Sequence, residues 1–289
     1  MSLRRVKVWR ITGGLAALAV VWATGVACAG DWPAYRHDCA RTGWTTDPLH
    51  LPLAERWVYT APGRPRMAWA GEEGIRREGL VMVQRVKFDD AFHVAVVNDR
   101  LYFGSSVDHR VYCLRVADGG KEWSFSAGGP VRLAPTVGEN RVWFGSDDGY
   151  AYCLDARTGR LLWKVRAAPA EEWLLARGEM ISRWPVRTGV LVDGGVAYFG
   201  AGIFPHENVY LCAVDCRDGK LLWKQDCVSE SNFDRNDLSP QGHLLLQGNT
   251  LYVPSGRTLP ALLDRRDGRV LHKPSQSWRF AKAGGGDIG

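Results

Sequence analysis

Most signatures that would name a chemistry are missing from this sequence. Its seven cysteines include no C-x-x-C pair, so neither a zinc knuckle nor a thioredoxin-type dithiol is available; Cys212 and Cys216 are spaced C-x-x-x-C, which fits no standard metal site. There is no H-E-x-x-H, and His206-Glu207 stands alone. Gly145-Ser146-Asp147-Asp148-Gly149 places its serine second rather than third, so it is a turn after a strand and not a nucleophile elbow. Gly284 to Gly289 has the G-x-G-x-x-G spacing, but no strand leads into it and the sequence ends where a helix would have to start. The recurring segments described below lack apolar residues at i, i+3, i+4 and i+7, which excludes a helical solenoid. A charge excess is also lacking. Of the net +6, four charges belong to Arg4, Arg5, Lys7 and Arg10, which leaves +2 on the remaining chain and no sign of a nucleic-acid partner.

What is present is a normal globular composition, 46% hydrophobic and 24% charged, with 33 glycines and 13 tryptophans among 289 residues. Many glycines imply many turns, and many tryptophans imply a recurring motif. The first 29 residues read as an export signal: a basic start, an apolar stretch from Ile11 to Ala27, and a small-x-small site at Ala27-Cys28-Ala29. A short membrane anchor and lipidation at Cys28 are the alternatives, and the latter would give the chain its only membrane attachment. Export permits disulfides, yet Cys113 and Cys153 occupy matching repeat positions where a small apolar residue would pack equally well, so buried free thiols are expected.

The repeat is explicit. Val111-Tyr-Cys-Leu-Arg-Val-Ala-Asp-Gly-Gly-Lys-Glu-Trp123 recurs at Ala151–Trp163 and Leu211–Trp223, and a fourth copy, Ala261–His272, has His272 in place of the tryptophan. Its turn glycines, Gly119, Gly159, Gly219 and Gly268, are 40, 60 and 49 residues apart. Ahead of each copy stands a second motif, at Arg100–Ser105, Arg141–Ser146, Val196–Ala201 and Thr250–Ser255, itself preceded by an apolar run and an Asn/Asp/Gly turn. The unit is strand, hairpin turn, strand, turn, strand, Asp-x-x-(Thr/Asp)-Gly turn, strand. Strands such as Leu-Tyr-Phe and Val-Trp-Phe lack polar alternation, so both of their faces must be covered. Stacked four-stranded blades at a period near 40 residues do this, and the expected fold is an all-β propeller with about four blades.

Asp155–Trp163 resembles the repeat of pyrroloquinoline-quinone-type propellers, which include quinoprotein dehydrogenases and the outer-membrane assembly factor B lipoproteins. Asp31-Trp-Pro-Ala-Tyr-Arg-His-Asp38 with Thr42-Gly43 resembles the N-terminal signature of exported proteins of that group. The likeness covers residues 31–272 and implies a fold more than a function. It implies that Trp123, Trp163 and Trp223 dock on the next blade. It also implies rings of seven or eight blades, so four blades make an incomplete ring, with Leu53–Tyr59 as a strand able to complete a last blade. The quinone enzymes place adjacent cysteines and a calcium-binding carboxylate/amide set beside the cofactor, and neither is present here.

The expected organisation is therefore a signal at 1–29, an N-terminal segment at 30–66, a linker at 67–90, blades at about 91–126, 131–166, 186–226 and 243–274 with an insertion at 167–185, and a Gly-rich tail at 275–289. Glu171–Arg177, inside the insertion, is expected to form a short helix. Loops that grow on a regular scaffold are where binding concentrates. Three such loops supply Arg183, Arg187, His206, Glu207, Gln241, His243 and Arg257, expected to line one rim and bind an acidic or carbohydrate ligand. The leading expectation is a non-catalytic exported scaffold for a protein or glycan partner, with no cofactor and no metal. The alternatives are a quinoprotein-like oxidoreductase using pyrroloquinoline quinone and calcium, and a fragment with no independent function.

Overall fold

The structure is a computed structural model that describes residues 30–48, 51–68, 76–77, 80–81, 89–176, 178–204, 207–226, 238–256 and 259–273. The expected signal at 1–29, the tail from residue 274 and most of the expected linker at 67–90 lie outside the described residues. A two-stranded hairpin, β1 (Arg76–Arg77) and β2 (Leu80–Val81), falls within the linker.

Four antiparallel sheets follow, each with its strands in sequence order. Blade 1 holds β3 (Val94–Val97), β4 (Arg100–Ser105), β5 (Arg110–Arg115) and β6 (Lys121–Ser126); blade 2 holds β7 (Thr136–Gly138), β8 (Arg141–Gly145), β9 (Tyr150–Asp155) and β10 (Leu161–Arg166). A separate hairpin, β11 (Trp173–Ala176) and β12 (Glu179–Ser182), occupies the insertion. Blade 3 holds β13 (Leu191–Asp193), β14 (Val196–Ala201), β15 (Tyr210–Asp215) and β16 (Leu221–Gln225); blade 4 holds β17 (Leu245–Gln247), β18 (Thr250–Val253), β19 (Ala261–Asp264) and β20 (Val270–His272).

Local chemistry sets this pattern. Asn98 and Asp99, like Glu139 and Asn140, adopt paired positive φ between 45° and 59°, the mirror-image turn whose twist suits a two-residue hairpin. The middle strands are covered on both faces: in β9, Ala151, Tyr152, Cys153 and Leu154 are all buried. Apolar clusters therefore lie between sheets. One joins blades 1 and 2, a second blades 2 and 3, a third blades 3 and 4, and a smaller one covers the other face of blade 1 with Trp57, Tyr59 and Phe92. The result is an all-β run of four propeller blades, with no closed ring among the described residues. The described cysteines are free, and burial pushes the thiols of Cys113, Cys153 and Cys212 up to about 12, so they act as small apolar fillers.

One contact repeats at every blade junction. The Trp123 indole donates to the Ala156 carbonyl at 3.0 Å, Trp163 to Cys216 at 3.2 Å and Trp223 to Arg265 at 2.9 Å. Each acceptor lies three residues before a turn glycine, and each ring covers that glycine. At Gly159, where φ is +71°, a Cβ would stand 2.7 Å from the Trp123 ring. Trp57 makes the same contact on blade 1: it donates to the Val116 carbonyl at 2.7 Å and covers Gly119. Residues 53–59 belong to no sheet, yet they supply the docking tryptophan of a blade that would precede blade 1.

The segment at residues 30–48 runs past the first strand of all four blades. Trp32 exchanges two backbone hydrogen bonds with Val96, and Val137 N–H donates to the Pro33 carbonyl. The Cys39 thiol donates to Val192 and the Arg41 guanidinium to Leu244, while Leu246 N–H donates to the Cys39 carbonyl. The motif that begins at Asp31 is thus a filler of the propeller axis.

Candidate functional site: the axial polar cluster and the insertion hairpin

Arg132, Arg187 and Gln241 occupy one repeat position, thirteen residues ahead of Gly145, Gly200 and Pro254 in blades 2, 3 and 4. They enter the same end of the axis. Arg187 is 3% exposed and grips Asp147 with two hydrogen bonds, Nε to Oδ1 at 3.0 Å and Nη2 to Oδ2 at 2.9 Å. Arg132 reaches Asp147 at 2.8 Å and Asp89 at 2.8 Å, and also donates to the Arg66 carbonyl. Asp89 in turn accepts from the Ala68 N–H at 2.8 Å. Burial would raise the Asp147 pKa, but the two guanidiniums outweigh it and the carboxyl sits below its usual range. At Asp89 burial wins over Arg132 and the pKa is raised.

Gln241, 2% exposed, donates to the Ser239 hydroxyl at 2.7 Å, which donates to the Ile203 carbonyl. His243 stacks on Tyr35 with centroids 3.8 Å apart and meets His93 edge-on at 5.7 Å. Its Nε2 is shielded from solvent without a hydrogen-bond partner. Burial, then the charges of Arg41 and His93, hold its pKa well below 6.5.

The expected single rim is therefore corrected. Arg187, Gln241 and His243 lie two to four residues ahead of the first strands of blades 3 and 4 and turn into the axis, because the segment that enters a blade faces its neighbours and not the solvent. Arg183 and Glu207 form a different group at the surface. Arg183 bonds Glu172 at 2.6 Å and also Glu207, lies over the Trp184 ring, and so ties the insertion to the long loop of blade 3; the Trp184 indole donates to the Glu207 carbonyl at 2.8 Å. His206 and Arg257 lie outside the described residues. Arg132, Asp147 and Asp89 were missed by sequence reasoning, although aligning the repeats puts Arg132 on Arg187.

The expected helix at Glu171–Arg177 is the second correction. Trp173–Ala176 pairs antiparallel with Glu179–Ser182 around Gly178, whose φ of +80° ends any helix. Arg183 N–H extends the ladder to the Glu172 carbonyl, and Ser182 N–H fastens it to Asp147. One face of the hairpin buries Ile181 at 1% exposure. The other presents Trp173, Leu175 and Met180 at 41, 72 and 52%. Three large apolar side chains thus stand together on one exposed face of a two-stranded hairpin.

The axial cluster does not fit pyrroloquinoline quinone with calcium. A quinone bearing carboxylates needs guanidiniums to bind it, and both arginines are already neutralised by Asp147 and Asp89. A calcium ion needs several free oxygens; both oxygens of Asp147 are bonded to arginine, which leaves only Oδ1 of Asp89, whose other oxygen is paired with Arg132. Residues 30–48 fill the adjoining axis.

Fold and contacts together define a propeller of the quinone-repeat type. The chain belongs to the family described as outer membrane protein assembly factor BamB, whose model matches residues 44–225 and again 147–283. It is similar to the dehydrogenase subunit of alcohol dehydrogenase (quinone) from Gluconobacter oxydans, 31% identical over 45% of this chain and 18% of that protein. It is also similar to BamB of Escherichia coli, 26% identical over 38% of this chain and 26% of that protein. Among solved structures, quinohemoprotein alcohol dehydrogenase from Comamonas testosteroni superposes with a TM-score of 0.57 at 14% identity, over 86% of this chain and 41% of that one, which shows a shared fold. The chain thus spans about a quarter or less of the length of these two curated relatives.

Proposed function

We propose that this chain is a non-catalytic, exported propeller scaffold of the cell envelope that binds a protein partner through the face of the insertion hairpin. The single observation that carries the reading is the contrast between its two polar regions. In the axial cluster the guanidiniums of Arg132 and Arg187 are spent on Asp147 and Asp89 of the same chain, whereas on the hairpin Trp173, Leu175 and Met180 face outward, flanked by the Arg183–Glu172–Glu207 brace. An exposed aromatic and aliphatic anchor with a polar surround is the composition of a protein-binding patch. The family supports the same direction, since its named members include an assembly factor for outer membrane proteins. A glycan partner, which would prefer aromatic rings among hydrogen-bonding groups, suits this aliphatic face less well.

Calorimetric titration with pyrroloquinoline quinone in calcium, alongside a dye-linked alcohol oxidation assay, separates this reading from a quinone oxidoreductase. The scaffold reading expects neither saturable binding nor turnover. Saturable binding with quinone-dependent oxidation overturns it.

A further inference from the structure

A cavity lies at the end of the axis opposite the polar cluster, where the turns between first and second strands emerge. Its volume is about 850 Å³, within the range of roughly 300–1,000 Å³ usual for small-molecule sites. One wall is the N-terminal segment and the other is formed by blades 2, 3 and 4. Ala34, Val137, Trp143 and Leu246 are buried and give it an apolar floor. The mouth is open because glycines build the turn tips. At Gly195 and Gly248 a Cβ would meet nothing within 4 Å, and both adopt positive φ.

Charge at the mouth is unbalanced. Asp38, Glu139, Asp193 and Arg265 all line it. Arg265 is committed to Asp193 at 2.6 Å and to the Tyr198 hydroxyl at 3.1 Å. Asp38 accepts the Thr42 N–H at 3.0 Å, and its other oxygen lies 3.9 Å from His37 Nδ1, with the buried Arg41 guanidinium close enough to offset part of its charge. Glu139 is exposed at the tip of the blade 2 turn. His37 adds a ring nitrogen, Nδ1, shielded from solvent with no hydrogen-bond partner. An apolar floor beneath three lining carboxylates, of which Glu139 has no ion pair among the described residues, selects a ligand with an apolar body and a positive head over an anion.

We propose that this axial cavity is a binding site for an amphipathic cation: a ring-sized apolar group carrying one amine or guanidine. The apolar body fills the space between Ala34, Val137 and Leu246, and the head sits between Asp38 and Glu139. The site is independent of the hairpin face and of any partner bound there.

The test is calorimetric titration of the full chain with two probes of similar size and opposite charge, phenethylamine and 3-phenylpropionate. The amine is expected to bind saturably at one site, with the acid at least about tenfold weaker, as one or two carboxylates at partly solvated range require. Glu139→Gln weakens amine binding by a similar factor. Ala40→Trp, at the exposed edge of the mouth, abolishes it while leaving the urea midpoint unchanged. Equal binding of both probes, amine binding that survives Ala40→Trp, or no saturable amine binding up to about 10 mM overturns the proposal.

Discussion

Replacing Gly159 by alanine isolates the contact that joins one blade to the next. Gly159 has φ of +71°, and its added Cβ would lie 2.7 Å from two carbons of the buried Trp123 ring. The left-handed conformation alone costs an L-residue about 1–2 kcal/mol. Pushing a packed indole aside adds about 1–3 kcal/mol of overpacking. Shifting that ring also loosens the 3.0 Å hydrogen bond from Trp123 to the Ala156 carbonyl, worth roughly 0.5–1.5 kcal/mol. The sum, about 2.5–6.5 kcal/mol, is a large share of the 5–15 kcal/mol typical of a folded domain. Gly178→Ala is the matched control. Its φ is +80°, but nothing lies within 4 Å of the new Cβ, so only the backbone penalty of about 1–2 kcal/mol applies. Urea unfolding followed by tryptophan fluorescence reports both. Gly159→Ala is expected to lower the midpoint clearly more than Gly178→Ala at similar m-value. If the two losses agree within about 0.5 kcal/mol, the indole is not docked on the glycine and the junction has been misread.

Other perturbations test the axis. Arg187→Met leaves Asp147 facing a single guanidinium in a buried site and is expected to cost about 3–5 kcal/mol, whereas the double change Arg187→Met with Asp147→Asn recovers much of the loss; denaturant midpoints of the single and double variants decide this. His243 is held neutral in the fold, so an unfolded chain takes up a proton that the native one refuses. Stability from this residue is present above pH 6.5 and lost as pH falls below it, with a slope of up to about 1.4 kcal/mol per pH unit. Thermal unfolding between pH 7 and pH 5 should show that slope, and His243→Phe should flatten it; an unchanged slope places the titration elsewhere. Leu175→Asp, at a side chain 72% exposed, is expected to shift stability by less than about 0.5 kcal/mol while removing partner binding.

The blades were legible because their repeat is written in turn chemistry: Asn98-Asp99 and Glu139-Asn140 for the hairpins, Gly119, Gly159, Gly219 and Gly268 for the outer turns. Trp57 was harder to place. Residues 53–59 suggested only a strand, and the fact that its indole repeats the contact of Trp123 depends on position in space. The polar cluster was legible only in part. Arg187 and Gln241 stood out as polar residues in long connections, but a sequence does not reveal that a residue entering a first strand turns inward, nor that Asp89, far along the chain, closes the ion network with Arg132. The helix expected at Glu171–Arg177 gave way to a hairpin because Gly178 permits a tight turn and Ile181 is buried in the strand that Ser182 fastens to Asp147 of blade 2.

The account stands most directly on the outward face of that hairpin. A photoactivatable crosslinker placed at Leu175, in the full chain expressed in its native host cell, is expected to trap one defined partner, with no adduct from the same group at Arg157 on the exposed turn of blade 2. Equal adducts from both positions, or none from Leu175, would contradict it.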